Sequence, residues 1–119
     1  MKVYVVMYNW DNGWEYEDHY SYEGVIGVCS TEEKAIEMIK DWIPDDLYRV
    51  EDLTDEFIAG EWNKLTDAYK NYYSNDIKEF RDTFATVKND EFDEEEKCRS
   101  FDGKRDESYS VYFNEFELV

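Results

Sequence analysis

Few residues in this chain are suited to chemistry. The single histidine, His19, follows Glu17 and Asp18, and a carboxylate beside an imidazole can orient it as a general base. It sits in a polar, turn-rich segment with no Gly-x-Ser-x-Gly elbow or other nucleophile signature, which argues against catalysis there. Cys29 stands where a strand gives way to a helix, a position that lowers a thiol's pKa, but Glu32 and Glu33 in the same first turn oppose the thiolate. A small core residue is the simpler reading of Cys29. Cys98 has no Cys-x-x-Cys partner and no neighbouring histidine, so zinc is unsupported, and both thiols are expected to be reduced. Carboxylate pairs are so abundant that none marks an acid–base site. The run Asp90-Glu91-Phe92-Asp93-Glu94-Glu95-Glu96 lacks the alternating ligands, central glycine and closing glutamate of an EF-hand, leaving weak divalent-cation binding at most. Phosphate-cradling loops of the Gly-x-x-x-x-Gly-Lys or Gly-x-Gly-x-x-Gly kind are absent. The chain is therefore expected to be non-enzymatic, with no cofactor, no catalytic residue and no metal site.

What is unusual is the charge. The 119 residues carry 31 Asp and Glu against 13 Lys and Arg, a formal charge of −18. It is spread along the chain: −6 over Met1 to Pro44, −5 over Asp45 to Asn89 and −7 over the remainder. Repulsion from other polyanions excludes direct binding to nucleic acid or to an anionic membrane, and a basic protein surface is the natural complement. B-form DNA carries about one charge per 1.7 Å of axis, so a compact acidic domain can present a comparable field to a groove built for nucleic acid. The densest candidates for such mimicry are Asp90, Glu91, Asp93, Glu94, Glu95 and Glu96, and the stretch containing Asp45, Asp46, Glu51, Asp52, Asp55 and Glu56. A second kind of contact is offered by aromatics, since Trp10, Trp14, Tyr16, Tyr20 and Tyr22 crowd one hairpin and Tyr is a rigid, low-entropy interface residue. The plainest alternative is that the acids only keep an aromatic-rich protein soluble.

These residues need elements to hold them. At 42% hydrophobic and 18% aromatic the chain has ample apolar surface to fold despite its charge, and its length suits one domain spanning 1–119. Lys2 to Tyr8 reads as a central strand, apolar on both faces, and Asn12-Gly13 as the reversal of a hairpin returning through Gly24 to Cys29. Ser30-Thr31-Glu32-Glu33 offers a capping box with Ser30 as the cap, opening a helix whose stripe runs through Ala35, Ile36, Ile39, Trp42 and Ile43 until Pro44 stops it. A second helical pattern spans Asp52 to about Tyr73 with a weak point at Gly60, and a third runs from Ile77 through Phe80, Phe84 and Val87 to about Asn89. Like charges at the density of Asp90 to Glu96 predict a mobile loop. Asp102-Gly103 is a turn signal, and Tyr109, Val111, Phe113, Phe116 and Leu118 mark a last strand. The expected fold class is α+β, a small antiparallel sheet of the N-terminal hairpin and the C-terminal strand against about three helices. No run nears the roughly 20 apolar residues of a membrane span, and the start is too short and polar-flanked for a signal peptide, so a cytoplasmic location is expected.

The opening Val3-Tyr4-Val5-Val6, followed after the hairpin by Gly27-Val28-Cys29-Ser30-Thr31-Glu32-Glu33-Lys34-Ala35, resembles small uncharacterised bacterial and phage proteins that begin with the same strand, hairpin and capped helix. It covers about the first third of the chain, with Val-Cys-Ser-Thr where Val-Phe-Ser-Thr is commoner, and implies no activity. In small size and acidity the chain is also similar to phage-encoded inhibitors of restriction or CRISPR nucleases, a likeness of style that transfers no residue. The expected function is an acidic, anti-CRISPR or anti-restriction type inhibitor acting by protein binding in the host cytoplasm. The alternative is an acidic adaptor or structural interaction protein that binds through the aromatic hairpin.

Overall fold

A computed structural model describes residues 1–14 and 18–119, and in it the apolar run at the start of the chain forms strand β1, Lys2–Asp11. β1 pairs antiparallel with β2, Ser21–Cys29, and on its other side with β5, Ser108–Glu117. β3, Lys88–Asp93, and β4, Cys98–Asp102, complete a five-stranded antiparallel sheet in the order β2-β1-β5-β4-β3. The class is α+β, with four α-helices among the described residues. No helix among these residues is long and apolar enough to cross a membrane.

The residues divide into two compact units, 1–43 with 88–119, and 44–87. In the first, strand alternation puts Val6, Tyr8, Val111, Arg99 and Phe101 on one face, and helix α1, Glu32–Asp41, lies across it. Ala35 and Ile39 of α1 are buried there with Val6, Val111 and Phe101. Two glycines of β2 make room. A Cβ on Gly24 would lie 2.5 Å from the Tyr8 ring, and one on Gly27 would lie 2.9 Å from Met38 Sδ. Trp42, just past α1, stacks on Tyr8 at 4.9 Å and meets Tyr109 at 6.2 Å, while Phe101 stacks on Tyr109 at 5.0 Å. The cap of α1 is Thr31 and not Ser30: its hydroxyl accepts from Lys34 N at 3.2 Å.

The second unit holds α2, Asp55–Asn63, α3, Asp67–Tyr72, and α4, Ile77–Arg81, around Leu53, Ile58 and Phe80. Its ends are joined by a parallel bridge of Tyr48 with Thr86, in which Tyr48 N donates to Ala85 O and Val87 N to Tyr48 O, each at 2.9 Å. The expected long helix of 52–73 is two helices, and the break falls at 64–66, not at Gly60. Thr66 accepts from Tyr69 N and starts a new helix, whereas Gly60 is accommodated inside α2. The expected third helix stops at Arg81, because the β-branched Thr83, Thr86 and Val87 favour the extended chain that forms the bridge. Phe80 and Phe84 still pack at 5.2 Å, as their spacing requires.

The largest departure concerns Asp90 to Glu96. Instead of a mobile loop, the segment contains the end of β3 and the turn into β4. Contacts from other elements hold it in place. Asp90 and Phe92 turn to the helix face, Arg99 neutralises Asp90, Lys40 lies 4.6 Å from the Phe92 ring centroid, and Lys97 pairs with Glu32 of α1. Asp93 closes the turn by accepting from Glu95 N at 2.9 Å and Glu96 N at 3.0 Å.

Candidate protein-binding surface

Arg99 sets the geometry of the acidic hairpin. Cys-Arg-Ser-Phe-Asp alternates, so Arg99 shares the inward face with Phe101, and its side chain is only 2% exposed. Burying a guanidinium is tolerable only when its donors are met by acceptors of matching geometry. Nε donates to Asp90 Oδ1 at 2.7 Å and a terminal nitrogen to Oδ2 at 3.2 Å, a bidentate pair. The other terminal nitrogen donates to Ile39 O at 2.9 Å and to Trp42 O, carbonyls at the end of α1, and the cation lies 4.4 Å from the Phe101 ring centroid. A positive charge at a helix C-terminus is itself favourable. One side chain thus fastens β3, β4 and α1 together.

That leaves the sequence candidates in distinct situations. Asp90 is engaged by Arg99. Glu91 and Asp93 lie on the opposite face of β3, Glu94, Glu95 and Glu96 form the turn, and all five are exposed with no cation partner among the described residues. With Phe92, Cys98 and Ser100, four of them line a shallow cleft of 510 Å³. The Cys98 thiol is pushed above its ordinary pKa by burial and then by Asp93 and Glu96, which disfavours a nucleophilic thiolate. Cys29 is buried. Among the described residues no three His, Cys, Asp or Glu side chains converge on a metal-sized site.

In the second unit Asp45, Asp46, Glu51, Asp52, Asp55 and Glu56 are all exposed. Asp55 pairs with Arg81 at 2.8 Å, and Asp55 and Glu56 fill the first turn of α2 behind the Thr54 cap, where negative charge complements the helix dipole. Part of this acidity therefore has a local structural role.

The aromatic candidates also separate. Trp10 is half-buried against Tyr20, with ring centroids 5.8 Å apart, while Trp14, Tyr20 and Tyr22 are at least half exposed. Tyr16 lies outside the described residues. Asn12 organises this end: its N donates to Tyr20 O at 3.0 Å, and its side-chain oxygen accepts from Trp14 N and Tyr20 N, each at 3.1 Å. His19 Nε2 lies 2.8 Å from Asp11 Oδ2. The His19 contact, with the Gly13 N–H, holds the Asp11 carboxyl below its usual range, a loop-closing arrangement.

Arg99, Lys97 and Trp42 were not singled out by sequence reasoning as organisers of the site. The one available signal was parity, since position 99 shares a face with Phe101. Comparison of the chain with protein-family models, curated proteins and solved structures finds no match to any of them.

Proposed function

We propose that this chain is a non-enzymatic binding protein that sets the acidic tip of the β3–β4 hairpin against a basic, nucleic-acid-binding groove of another protein, a CRISPR or restriction nuclease being the target class. One observation carries the reading. Glu91, Asp93, Glu94, Glu95 and Glu96 sit on a braced hairpin without cation partners among the described residues. The unit that bears them has 8 basic and 20 acidic residues, a charge of −12. A hairpin backbone braced in advance loses little conformational freedom on binding, and the field of the unit steers its carboxylates toward cationic surfaces. A second reading uses the exposed Trp14, Tyr20 and Tyr22 as an aromatic contact whose affinity is insensitive to salt.

The test is capture of partners from a bacterial lysate, repeated with added duplex DNA and with a variant combining Glu91→Gln, Asp93→Asn, Glu94→Gln, Glu95→Gln and Glu96→Gln. Asp90 is kept because Arg99 requires it. The expected result is a partner displaced by DNA and lost by the variant. A partner retained by the variant and indifferent to DNA contradicts the proposal, and its loss on Trp14→Ala with Tyr20→Ala would favour the aromatic reading.

A further inference from the structure

The two edges of the sheet are built differently. β3 is a six-residue edge carrying Lys88, Asp90, Glu91 and Asp93, and charge and brevity both discourage another chain from pairing with it. β2 is a nine-residue edge with one charged residue, Glu23, and its outer side pairs with no strand among the described residues. Val25 and Val28 on it are 61% and 63% exposed. One irregularity interrupts its register, opposite Val6 and Met7. Beyond it the strand's end and α1 form the two walls of an open groove of 820 Å³, lined by Val28, Cys29, Lys34, Glu37, Met38 and Asp41. Met38 rests over Gly27, and its flexible thioether can shift to admit a side chain.

From this we infer that the β2–α1 groove takes an extended, basic segment of another protein as a sixth strand of the sheet. The segment's backbone bonds to the outer edge of β2, its apolar side chains pack beside Val25 and Val28 on the face away from α1, and a Lys or Arg on the alternate face lies along Met38 and meets Glu37. Charge decides the occupant. A second copy would bring another −18 to the same edge, whereas a basic strand is attracted. This groove lies at the opposite sheet edge from the acidic hairpin, so the inference stands apart from the proposed function.

The experiment measures amide hydrogen exchange of the full chain by NMR with a blocked octapeptide of alternating Lys and Val at millimolar concentration. Exchange at amides within Ser21–Cys29 is expected to slow by at least about tenfold while β3 amides are unaffected. The fully N-methylated peptide should give no protection, Glu37→Lys should weaken binding, and the variant with a neutralised hairpin tip should still respond. Protection at β3, protection by the N-methylated peptide, or none at all overturns the inference. So does concentration-dependent protection of β2 without peptide, which would mark a second copy as the occupant.

Discussion

Arg99 illustrates how a side chain can be decisive and still be hard to read from a sequence. A cation between Cys98 and Ser100, close behind the five consecutive charged residues 93–97, looks like surface, and only its pairing with Val111 on the face beneath α1 makes it core. Arg99→Ala would strand the Asp90 carboxylate and two carbonyls at the end of α1, and is expected to cost about 3–5 kcal/mol in denaturant unfolding. Asp90→Asn keeps a partial acceptor at a half-exposed position and should cost less, about 1–2 kcal/mol. Equal and negligible losses would show that the bidentate pair does not brace the hairpin. A second residue-scale expectation concerns Cys98, whose thiol is held above its ordinary value of 9.0 by burial, Asp93 and Glu96. Because the thiolate is the reactive form, alkylation of Cys98 should stay slow near neutral pH and reach half its maximal rate only above pH 9.0. A half-maximal rate below that pH would contradict the placement of the acids.

Among the elements, β1 and β2 were legible from apolar, β-branched runs on either side of an Asn-Gly reversal, α1 from its three-four stripe and β5 from its alternation, all signals carried by neighbouring residues. β3 was not, since its acids argue locally for a loop, and what reverses this, Arg99 on Asp90, Lys40 over Phe92 and the Lys97–Glu32 pair that ties the turn to α1, is contributed from other elements. Helix lengths in 44–87 were overestimated for a related reason. An apolar three-four spacing continued through residues that tertiary pairing drew into extended chain, as at Thr86. Such short helices lean on their caps. Thr54→Ala and Thr66→Ala should each lower stability by about 1 kcal/mol. Gly60→Ala should raise it by about 0.5–1 kcal/mol, because a Cβ there meets nothing within 4 Å and alanine lowers the entropy lost on forming α2. Thermal unfolding of the three variants checks both signs, and destabilisation by Gly60→Ala would contradict the open space around that position.

For the whole molecule, charge is the dominant physical fact: one unit carries −12, and 44–87, with 5 basic and 11 acidic residues, carries −6. Raising ionic strength from about 0.01 to about 0.15 M shortens the screening length from about 30 to about 8 Å, so the melting temperature should rise by several degrees as like charges cease to repel. A fall would mean that attractive pairs such as Lys97–Glu32 outweigh the repulsion. The charge total was fully legible in composition, but which acids are engaged, as Asp90 and Asp55 are, depends on partners 9 and 26 residues away. The most direct measurement is the dissociation constant of the DNA-displaceable partner, taken against salt for the natural chain and for the variant with Glu91, Asp93, Glu94, Glu95 and Glu96 neutralised. The natural chain should weaken by at least about tenfold between about 0.05 and about 0.2 M salt, with the variant binding poorly and responding little. Equal affinities and equal salt slopes for the two proteins would contradict the claim that this hairpin meets a basic groove.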